Sequence, residues 1–219
     1  PHIMNARANK FGRIAAICTV KDEGPDILEW LGWCRLVGFT DFYIAQNDST
    51  DGTAELLSCL QDAGLINFID NSFLDAKGKR PLSYQFRAYL QCLHWARKDG
   101  VNWAMAVDVD EFVYVYGENG LGRIESLLLD GADEVRLNWR HMGSLSAHHF
   151  SEDFLTSRFI SSKPLDNICK FGTLIKTLFR LENVDVAGFH KPNKYRQLPQ
   201  NPVNGSGLPV EDLNAVCIE

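Results

Sequence analysis

The chain has 219 residues, of which 45% are hydrophobic and 23% are charged, and its formal net charge is −6. This length and composition are typical of one globular domain that buries its own core without disulfides or structural metals. The acidic balance argues against nucleic acid as the main partner, because phosphate backbones are bound by basic faces, but a small nucleotide is compatible with it if a cation neutralises the phosphates.

Strand-like and helix-like stretches alternate through the first half of the chain. In chain order, the pattern predicts a strand at 13–20, a helix at 26–38, a strand at 41–45, a helix at 54–63, a strand at 66–70, a helix at 84–98 and a strand at 103–107. Strands that alternate with helices predict a mostly parallel, Rossmann-like sheet flanked by helices. The predicted fold class is therefore α/β.

Two of these helices carry more specific signals. Asp26 and Glu29 have the spacing of a capping box, which predicts that the first helix begins at Asp26. Gly38 is expected to end that helix. The apolar side of the helix at 84–98 is expected to consist of Phe86, Leu90, Leu93 and Trp95.

The second half of the chain is less regular. Residues 134–139 and 173–179 are predicted strands, and residues 142–153 are a predicted loop. Half of the eight prolines follow His190. This part of the chain is therefore predicted to be a loop or an extended tail.

Polar residues follow three of the predicted strands at the point where each strand ends. The three clusters are Lys21-Asp22-Glu23, Asn47-Asp48-Ser49 and Asp108-Val109-Asp110. In parallel sheets, ligands bind beyond the carboxyl ends of the strands. We therefore expect the functional site at this edge, and we interpret the turn at 47–53 as either a helix cap or a nucleoside-binding turn.

Asp108 and Asp110 are the central candidates for metal binding. They follow a short apolar strand, and alternate side chains of an extended chain point the same way, so the two carboxylates should converge. Hard oxygen ligands suit Mg²⁺ or Mn²⁺, which would neutralise a departing diphosphate as a Lewis acid. The alternative interpretation is a solvated acidic turn after a buried strand.

Signals for the cellular location are few. No stretch reaches the roughly 18 apolar residues of a membrane span, and the N-terminus lacks the features of a secretion signal. The six cysteines show no paired spacing and mostly lie in apolar runs, which indicates free thiols in a reducing compartment. We therefore predict a cytoplasmic protein without an integral membrane segment. A peripheral position at the inner face of a membrane is compatible with this prediction.

Five motifs, taken together, resemble a known enzyme family. They are Val20-Lys21-Asp22-Glu23, Glu29-Trp30, Gly38-Phe39-Thr40-Asp41, the run at 47–53 and Asp108-Val109-Asp110-Glu111-Phe112. In this order and spacing they are similar to the family 2-type glycosyltransferases, most closely to the family 2 type 4 group and the related DUF23 group. The resemblance covers about residues 12 to 195 and implies the A-type glycosyltransferase (GT-A) fold.

The resemblance also implies roles for residues on the donor side. The residues expected to contact the nucleotide are Val20, Lys21, Asp22, Glu23, Asn47, Asp48 and Asp108. Asp108 and Asp110 would hold Mn²⁺ or Mg²⁺ together with the diphosphate. His190 would complete the metal site, and the alternative is an ordinary loop histidine.

On the acceptor side, Trp139 begins a segment similar to the family's W-x-x-F-G-S motif, with Met142 in place of Phe. Lys176 and Arg180 look like a family basic pair for a phosphate or an acidic sugar, and the alternative is a solvated strand edge. Transfer with inversion needs a carboxylate that deprotonates the acceptor hydroxyl. The candidates are Asp153, which we favour, Glu152 and Glu111.

These inferences predict a hexosyltransferase-like enzyme that moves a sugar from a nucleotide-diphosphate donor, with UDP as the expected nucleotide, to a saccharide or other hydroxyl acceptor. Residues 1–11 would be a tail and 12–195 the catalytic domain, with a nucleotide-sugar half at 12–115 and an acceptor half at 116–195. Residues 196–219 would be a Pro-rich tail, which we expect to be truncated. Two alternatives are an aspartate-dependent phosphohydrolase, whose D-x-D normally ends the first strand, and a non-catalytic nucleotide-sugar-binding module.

Overall fold

A computed structural model describes residues 11–72, 84–118, 120–128, 131–143, 151–162 and 174–211. The sequence of residues 74–81 predicts a polar, basic loop, and this stretch lies outside the described residues. So does most of the predicted acceptor-side loop, of which only 142–143 and 151–153 are described.

Thirteen strands lie in the described parts of the chain. In chain order they are β1 (Ile14–Val20), β2 (Asp41–Gln46), β3 (Asn67–Asp70), β4 (Trp103–Ala106), β5 (Tyr116–Gly117), β6 (Gly120–Leu121), β7 (Glu134–Asn138), β8 (Met142–Gly143), β9 (Ser161–Ser162), β10 (Ile175–Arg180), β11 (Val184–Val186), β12 (Lys194–Tyr195) and β13 (Pro202–Asn204). Seven of them form one sheet in the order β13-β7-β10-β4-β1-β2-β3. The other six form three small pairs, β5 with β6, β8 with β9 and β11 with β12.

The central sheet is mostly parallel. β1 pairs in parallel with both β2 and β4, and β2 pairs in parallel with β3. β10 is antiparallel to its neighbours β4 and β7, and β13 is parallel to β7. Within this sheet, all strands except β10 therefore point the same way, so β1 to β4 end at one common edge.

Helices cover both faces of the sheet. They are α1 (Gly24–Val37), α2 (Thr53–Asp62), α3 (Tyr84–Lys98) and the short α4 (Leu155–Arg158). Buried side chains of α1 and α2 share a core with Ile14, Ala16 and Cys18 of β1, whereas α3 packs with Ala15 and Ile17 on the opposite face. The predicted α/β class, with a Rossmann-like and mostly parallel sheet between helices, is confirmed. Of the described helices, none is long and apolar enough to cross a membrane.

The predicted capping box at the start of the first helix is wrong. α1 begins two residues earlier, at Gly24, with Pro25 in its first turn and no side-chain cap. Proline suits this position because its missing N–H would have no partner there. Gly38 ends the helix as predicted, in the left-handed conformation that glycine adopts without strain.

The predicted apolar side of the third helix is also wrong, apart from Leu93. Phe86, Leu90 and Trp95 are exposed. The face that packs on the sheet consists of Ala88, Tyr89, Cys92, Leu93 and Ala96. Four of these five side chains are smaller than the exposed aromatic rings, so the helix can lie close to the strands.

The sheet extends into the region that we predicted to be a tail. β13 pairs with β7, and Val203 is buried against the core. A proline at the start of this edge strand is tolerated because an edge strand leaves some N–H groups unpaired.

A buried charged network links β7 to the small β11–β12 pair. Arg136 Nε donates to Glu134 Oε1 at 2.8 Å, and the Tyr195 hydroxyl donates to Glu134 Oε2 at 2.6 Å. Glu134 and Arg136 are both almost fully buried. In such a site each charge depends on the other, because neither is solvated by water.

We expect Glu134→Gln to lower the free energy of unfolding by about 3–5 kcal/mol, because it removes the carboxylate charge that is paired with the buried Arg136. Urea denaturation measures this loss. The matched control is Glu182→Gln, which alters an exposed side chain and should leave the midpoint unchanged. A shift in Glu134→Gln no larger than the control's would contradict the prediction.

Candidate active site

The acidic motif lies at the carboxyl edge of the sheet, immediately after β4. The Val107 N–H donates to the Ile17 carbonyl of β1 at 3.0 Å, which continues the pairing of β4 with β1, and the chain then turns. Glu111 N–H donates to the Asp108 carbonyl at 3.0 Å, which closes the turn. Asp108 and Asp110 therefore lie in a tight turn rather than on an extended strand as we predicted. Val109 between them is buried and anchors the turn.

Lys176 on β10 places its ammonium between two carboxylates of this turn. Its Nζ lies 2.7 Å from Glu111 Oε2 and 3.2 Å from Asp108 Oδ2. The side chains of Lys176 and Glu111 are only 7% and 8% exposed, whereas that of Asp108 is 35% exposed. Glu111 Oε2 also accepts the Asp108 N–H at 2.9 Å. The buried pair thus holds Asp108 in place while its carboxylate stays partly open to solvent.

Negative charge is concentrated along this edge. Burial raises the pKa of Glu111 to about 7, and the charge of Asp108 acts in the same direction, whereas Lys176 opposes it. Burial also raises the pKa of Glu23, and the carboxylates of Asp110 and Asp108 add to that rise. The end of β1 and the turn after β4 therefore share one acidic surface.

The loops after β1 and β2 are interlocked by hydrogen bonds. Asp22 Oδ1 accepts from Thr50 N–H at 2.6 Å, and Asp22 N–H donates to Ser49 Oγ at 3.2 Å. One residue of each loop, Asp22 and Asp48, has a φ close to +55°. Non-glycine residues rarely adopt this conformation, and where they do it is often at functional sites.

A second pair of contacts continues the same connection. Asp51 Oδ2 accepts from Gly24 N–H at 3.2 Å, and Thr53 Oγ1 accepts from Glu23 N–H at 3.1 Å. The first turn of α1 is thus tied to the first residues of α2. The carboxylates of Asp22 and Asp51 fasten the two loops to each other, so the prediction that Asp22 contacts the nucleotide competes with this structural role.

The end of β3 also contributes to this edge, which we did not predict. Ser72 Oγ accepts from Asp48 N–H at 2.7 Å and from Gln46 Nε2 at 3.1 Å. Gln46 Nε2 also donates to Asp70 Oδ1 at 2.8 Å. The signal in the sequence was the polar run Asp70-Asn71-Ser72 after an apolar strand, which has the same form as the three clusters that we identified.

The structure therefore brings most of the predicted donor-side residues to one edge. Val20 is the buried last residue of β1, and Asn47 N–H donates to its carbonyl at 3.2 Å. Lys21 follows on the exposed surface, and Asp48 is held by Ser72. Asp108 completes the set across β1, because β4 lies on the other side of that strand.

His190 and Trp139 lie beside the start of β10. His190 Nδ1 is 3.1 Å from the Ile175 carbonyl oxygen, next to Lys176 in the chain. The Trp139 ring lies 5.7 Å from the His190 ring and 4.5 Å from the His141 ring, measured between centroids. This aromatic group is near the acidic turn, since β10 runs beside β4.

The predicted metal ligands do not form a complete metal site by themselves. Among the described residues, no group of three or more His, Cys, Asp or Glu side chains is arranged to hold a metal ion. Mg²⁺ needs only one or two protein carboxylates when water and phosphate supply the other ligands. Asp108 is partly open and Asp110 is exposed, so their carboxylates fit a cation of this kind. His190 is not grouped with them.

Arg180 does not belong to this site. It pairs with Trp103 at the opposite end of β4, and its guanidinium lies 4.8 Å from the centre of the Trp103 ring. Lys176 and Arg180 are four residues apart on one strand, which separates them by roughly 13 Å. The predicted basic pair is therefore divided between the two ends of the sheet.

The segment that carries Glu152 and Asp153 is fixed against α1. Glu29 accepts hydrogen bonds from Leu155 N–H at 2.6 Å and from the N–H and hydroxyl of Thr156 at 3.1 and 2.6 Å. Asp26 pairs with Arg158 at 3.4 Å. Glu29 thus connects two segments more than a hundred residues apart. Glu152 and Asp153 are both exposed, and Asp153 accepts from Ser151 Oγ at 2.6 Å.

A model of glycosyltransferase family 92 matches residues 16–206, which is most of the chain. The chain belongs to glycosyltransferase family 92. The predicted class of enzyme is confirmed at the level of the family, and the phosphohydrolase alternative loses its support. The narrower likeness to the family 2 type 4 group remains a prediction. The family 92 match includes every predicted site residue, and it extends past residue 195 to include β13.

Solved structures similar to this family 92 chain include the TarS protein of S. aureus. TarS 1–349 gives a TM-score of 0.42 at 14% identity, with 77% of this chain and 47% of TarS covered. The structure of the same fragment with UDP gives a TM-score of 0.43 at 12% identity, with 77% of this chain and 47% of TarS 1–349 covered. The structure with UDP-GlcNAc gives a TM-score of 0.39 at 14% identity, with 64% of this chain and 37% of TarS 1–349 covered. The chain spans about half the length of TarS 1–349 or less. No curated protein matches it.

We expect Glu29→Ala to loosen the segment at 151–158, because the amides of Leu155 and Thr156 lose a charged acceptor. Their hydrogen exchange, measured by NMR, should accelerate by about tenfold or more. Glu55→Ala, which removes an exposed carboxylate from α2, is the matched control and should not change these rates. If exchange in Glu29→Ala stays at the wild-type rate, Glu29 does not hold the segment.

Proposed function

We propose that this family 92 protein transfers a hexose from a nucleotide-diphosphate donor, with UDP-sugars as the expected donors, to a hydroxyl group of an acceptor such as a saccharide. The observation that carries the proposal is the position of Asp108 and Asp110 at the same sheet edge as the interlocked loops after β1 and β2. A diphosphate at the aspartates can extend its nucleoside across the end of β1 toward Asp48. Ligands of parallel sheets bind in this position.

We infer that Mn²⁺ or Mg²⁺ is held by Asp108 and Asp110, where it would supply Lewis-acid stabilisation of the leaving diphosphate. The acidic character of the edge supports a cation, because donor phosphates placed at Asp108 and Asp110 would otherwise lie against two carboxylates. Lys176 is the one cationic side chain that the described residues place against the acidic turn, and it is already paired.

The proposed chemistry is a single displacement with inversion. The acceptor oxygen forms a bond to the anomeric carbon while the bond from that carbon to the diphosphate oxygen breaks. The electron pair of the broken bond leaves with the diphosphate, and the acceptor proton passes to a protein carboxylate.

We assign the role of base to Asp153, with Glu152 as its neighbour on the same segment. Both side chains are exposed, and Glu29 holds their segment against α1, which begins at the carboxyl edge of the sheet. Glu111 is less suited to this role because its carboxylate is buried against Lys176. A cytoplasmic location remains a prediction from the sequence.

Calorimetric titration of UDP and of several UDP-hexoses, with and without Mn²⁺, tests the donor side. We expect UDP binding that Mn²⁺ strengthens, and release of UDP when a donor sugar and a saccharide acceptor are both present. The absence of any nucleotide binding in the presence of Mn²⁺ would overturn the proposal, whereas binding without turnover would favour a non-catalytic module.

We expect Asp110→Asn to lower the affinity for UDP in the presence of Mn²⁺ by about tenfold or more, which corresponds to about 1.4 kcal/mol. Asp110 is exposed in its turn, so the fold should persist, and circular dichroism checks this. The control is Asp62→Asn, at the end of α2 on the protein surface. Unchanged UDP affinity in Asp110→Asn with Mn²⁺ would remove Asp110 from the site.

Asp48→Asn should weaken UDP binding several-fold and leave Mn²⁺ binding unchanged, because Asp48 lies beyond β2 on the nucleoside side. Asparagine is the appropriate substitution, since it tolerates the φ of 53° that Asp48 adopts, whereas alanine would add strain. Calorimetry with UDP and with Mn²⁺ separately measures both effects. Equal UDP affinity in the variant and the wild type would show that the Asp48 charge does not contact the nucleotide.

A further inference from the structure

The two aspartates of the acidic turn differ in their surroundings. Asp108 is paired with the Lys176 ammonium at 3.2 Å, and Asp110 is exposed and has no ion pair among the described residues. A divalent cation that binds both carboxylates must therefore share Asp108 with a positive charge that is already present. Like charges this close repel strongly, since the partly buried site screens them less than water would.

Lys176 cannot easily withdraw from this position. Its side chain is almost fully buried, and the ammonium is also bound at 2.7 Å to Glu111, which is equally buried. Glu111 is itself held by Asp108, because its carboxylate accepts the Asp108 N–H and its own N–H donates to the Asp108 carbonyl. Lysine, glutamate and the turn form one rigid unit, so the positive charge stays beside Asp108.

We propose that Lys176 is a resident counter-cation of Asp108 that keeps divalent metal weakly bound until the donor's diphosphate arrives. This inference rests on the proposed function, since it concerns the same metal and nucleotide. It gives Lys176 a positioning role in place of the direct contact with phosphate or acidic sugar that the sequence suggested. The diphosphate supplies negative charge that offsets the ammonium, so metal and nucleotide should bind cooperatively, each strengthening the other by the same factor.

Substitution of the two buried partners should move metal affinity in opposite directions. Lys176→Gln removes the positive charge and releases Asp108, so the affinity of the nucleotide-free protein for Mn²⁺ should rise by about tenfold or more. Glu111→Gln keeps the ammonium but removes its other counter-charge, so Mn²⁺ affinity should fall. A purely structural role of the pair predicts that both variants lose affinity together.

The measurement is titration of free Mn²⁺ by electron paramagnetic resonance on nucleotide-free protein, which needs neither donor nor turnover. Lys176→Arg is the matched control, because it keeps the charge and should keep the affinity near the wild-type value. Circular dichroism shows which variants fold. If Lys176→Gln does not fold, the wild-type protein decides: Mn²⁺ affinity that saturating UDP does not raise would overturn the inference.

UDP titrations with and without Mn²⁺ complete the test. Mn²⁺ should improve UDP affinity less in Lys176→Gln than in the wild type, because the metal no longer depends on the diphosphate. Equal or parallel changes of Mn²⁺ affinity in Lys176→Gln and Glu111→Gln would overturn the inference. If UDP still binds in that case, the proposed function stands, whereas the absence of UDP binding in the wild type would remove the proposed function itself.

Discussion

The parallel pairing of β1 with β2 and β4 is the constraint on which the rest of the structure depends. Because these strands point the same way, the loops that follow them, which are far apart in the chain, end at one edge of the sheet. Hydrogen bonds between the Asp22 and Thr50 loops then connect them directly. The position of the candidate site is thus a consequence of strand direction. Because the strand ends already lie side by side, short polar side chains are long enough to connect the loops after β1 and β2.

The same geometry places several carboxylates at one edge, and the buried Lys176 lies against two of them. Unpaired carboxylates at this density would raise one another's pKa and favour the protonated form, as burial and neighbouring charge do for Glu23. Lys176 reaches the turn because β10 runs antiparallel beside β4, so its first residues lie at the carboxyl end of β4. One reversed strand in a mostly parallel sheet therefore supplies the cation that lies against the acidic turn.

The segment that carries the proposed base is attached to the end of β1 through α1. Glu29 and Asp26 lie in the first turns of that helix and bind the segment at 151–158. The helix that begins at the end of β1 thus carries both the first polar loop and the anchor for the proposed base.

The sequence by itself determined the alternation of strands and helices and the polar strand ends, because local periodicity and turn chemistry depend on neighbouring residues. Its five motifs indicated the class of enzyme through their resemblance to a known family. The sequence did not determine which face of α3 packs on the sheet. Small residues form that face because they allow the helix to lie close to the strands, and only the fold places the strands beside the helix. It also did not separate Lys176 from Arg180 or assign Glu29 to the segment at 151–158. Those pairings depend on strand direction and on contacts across more than a hundred residues, so only the tertiary structure decided them.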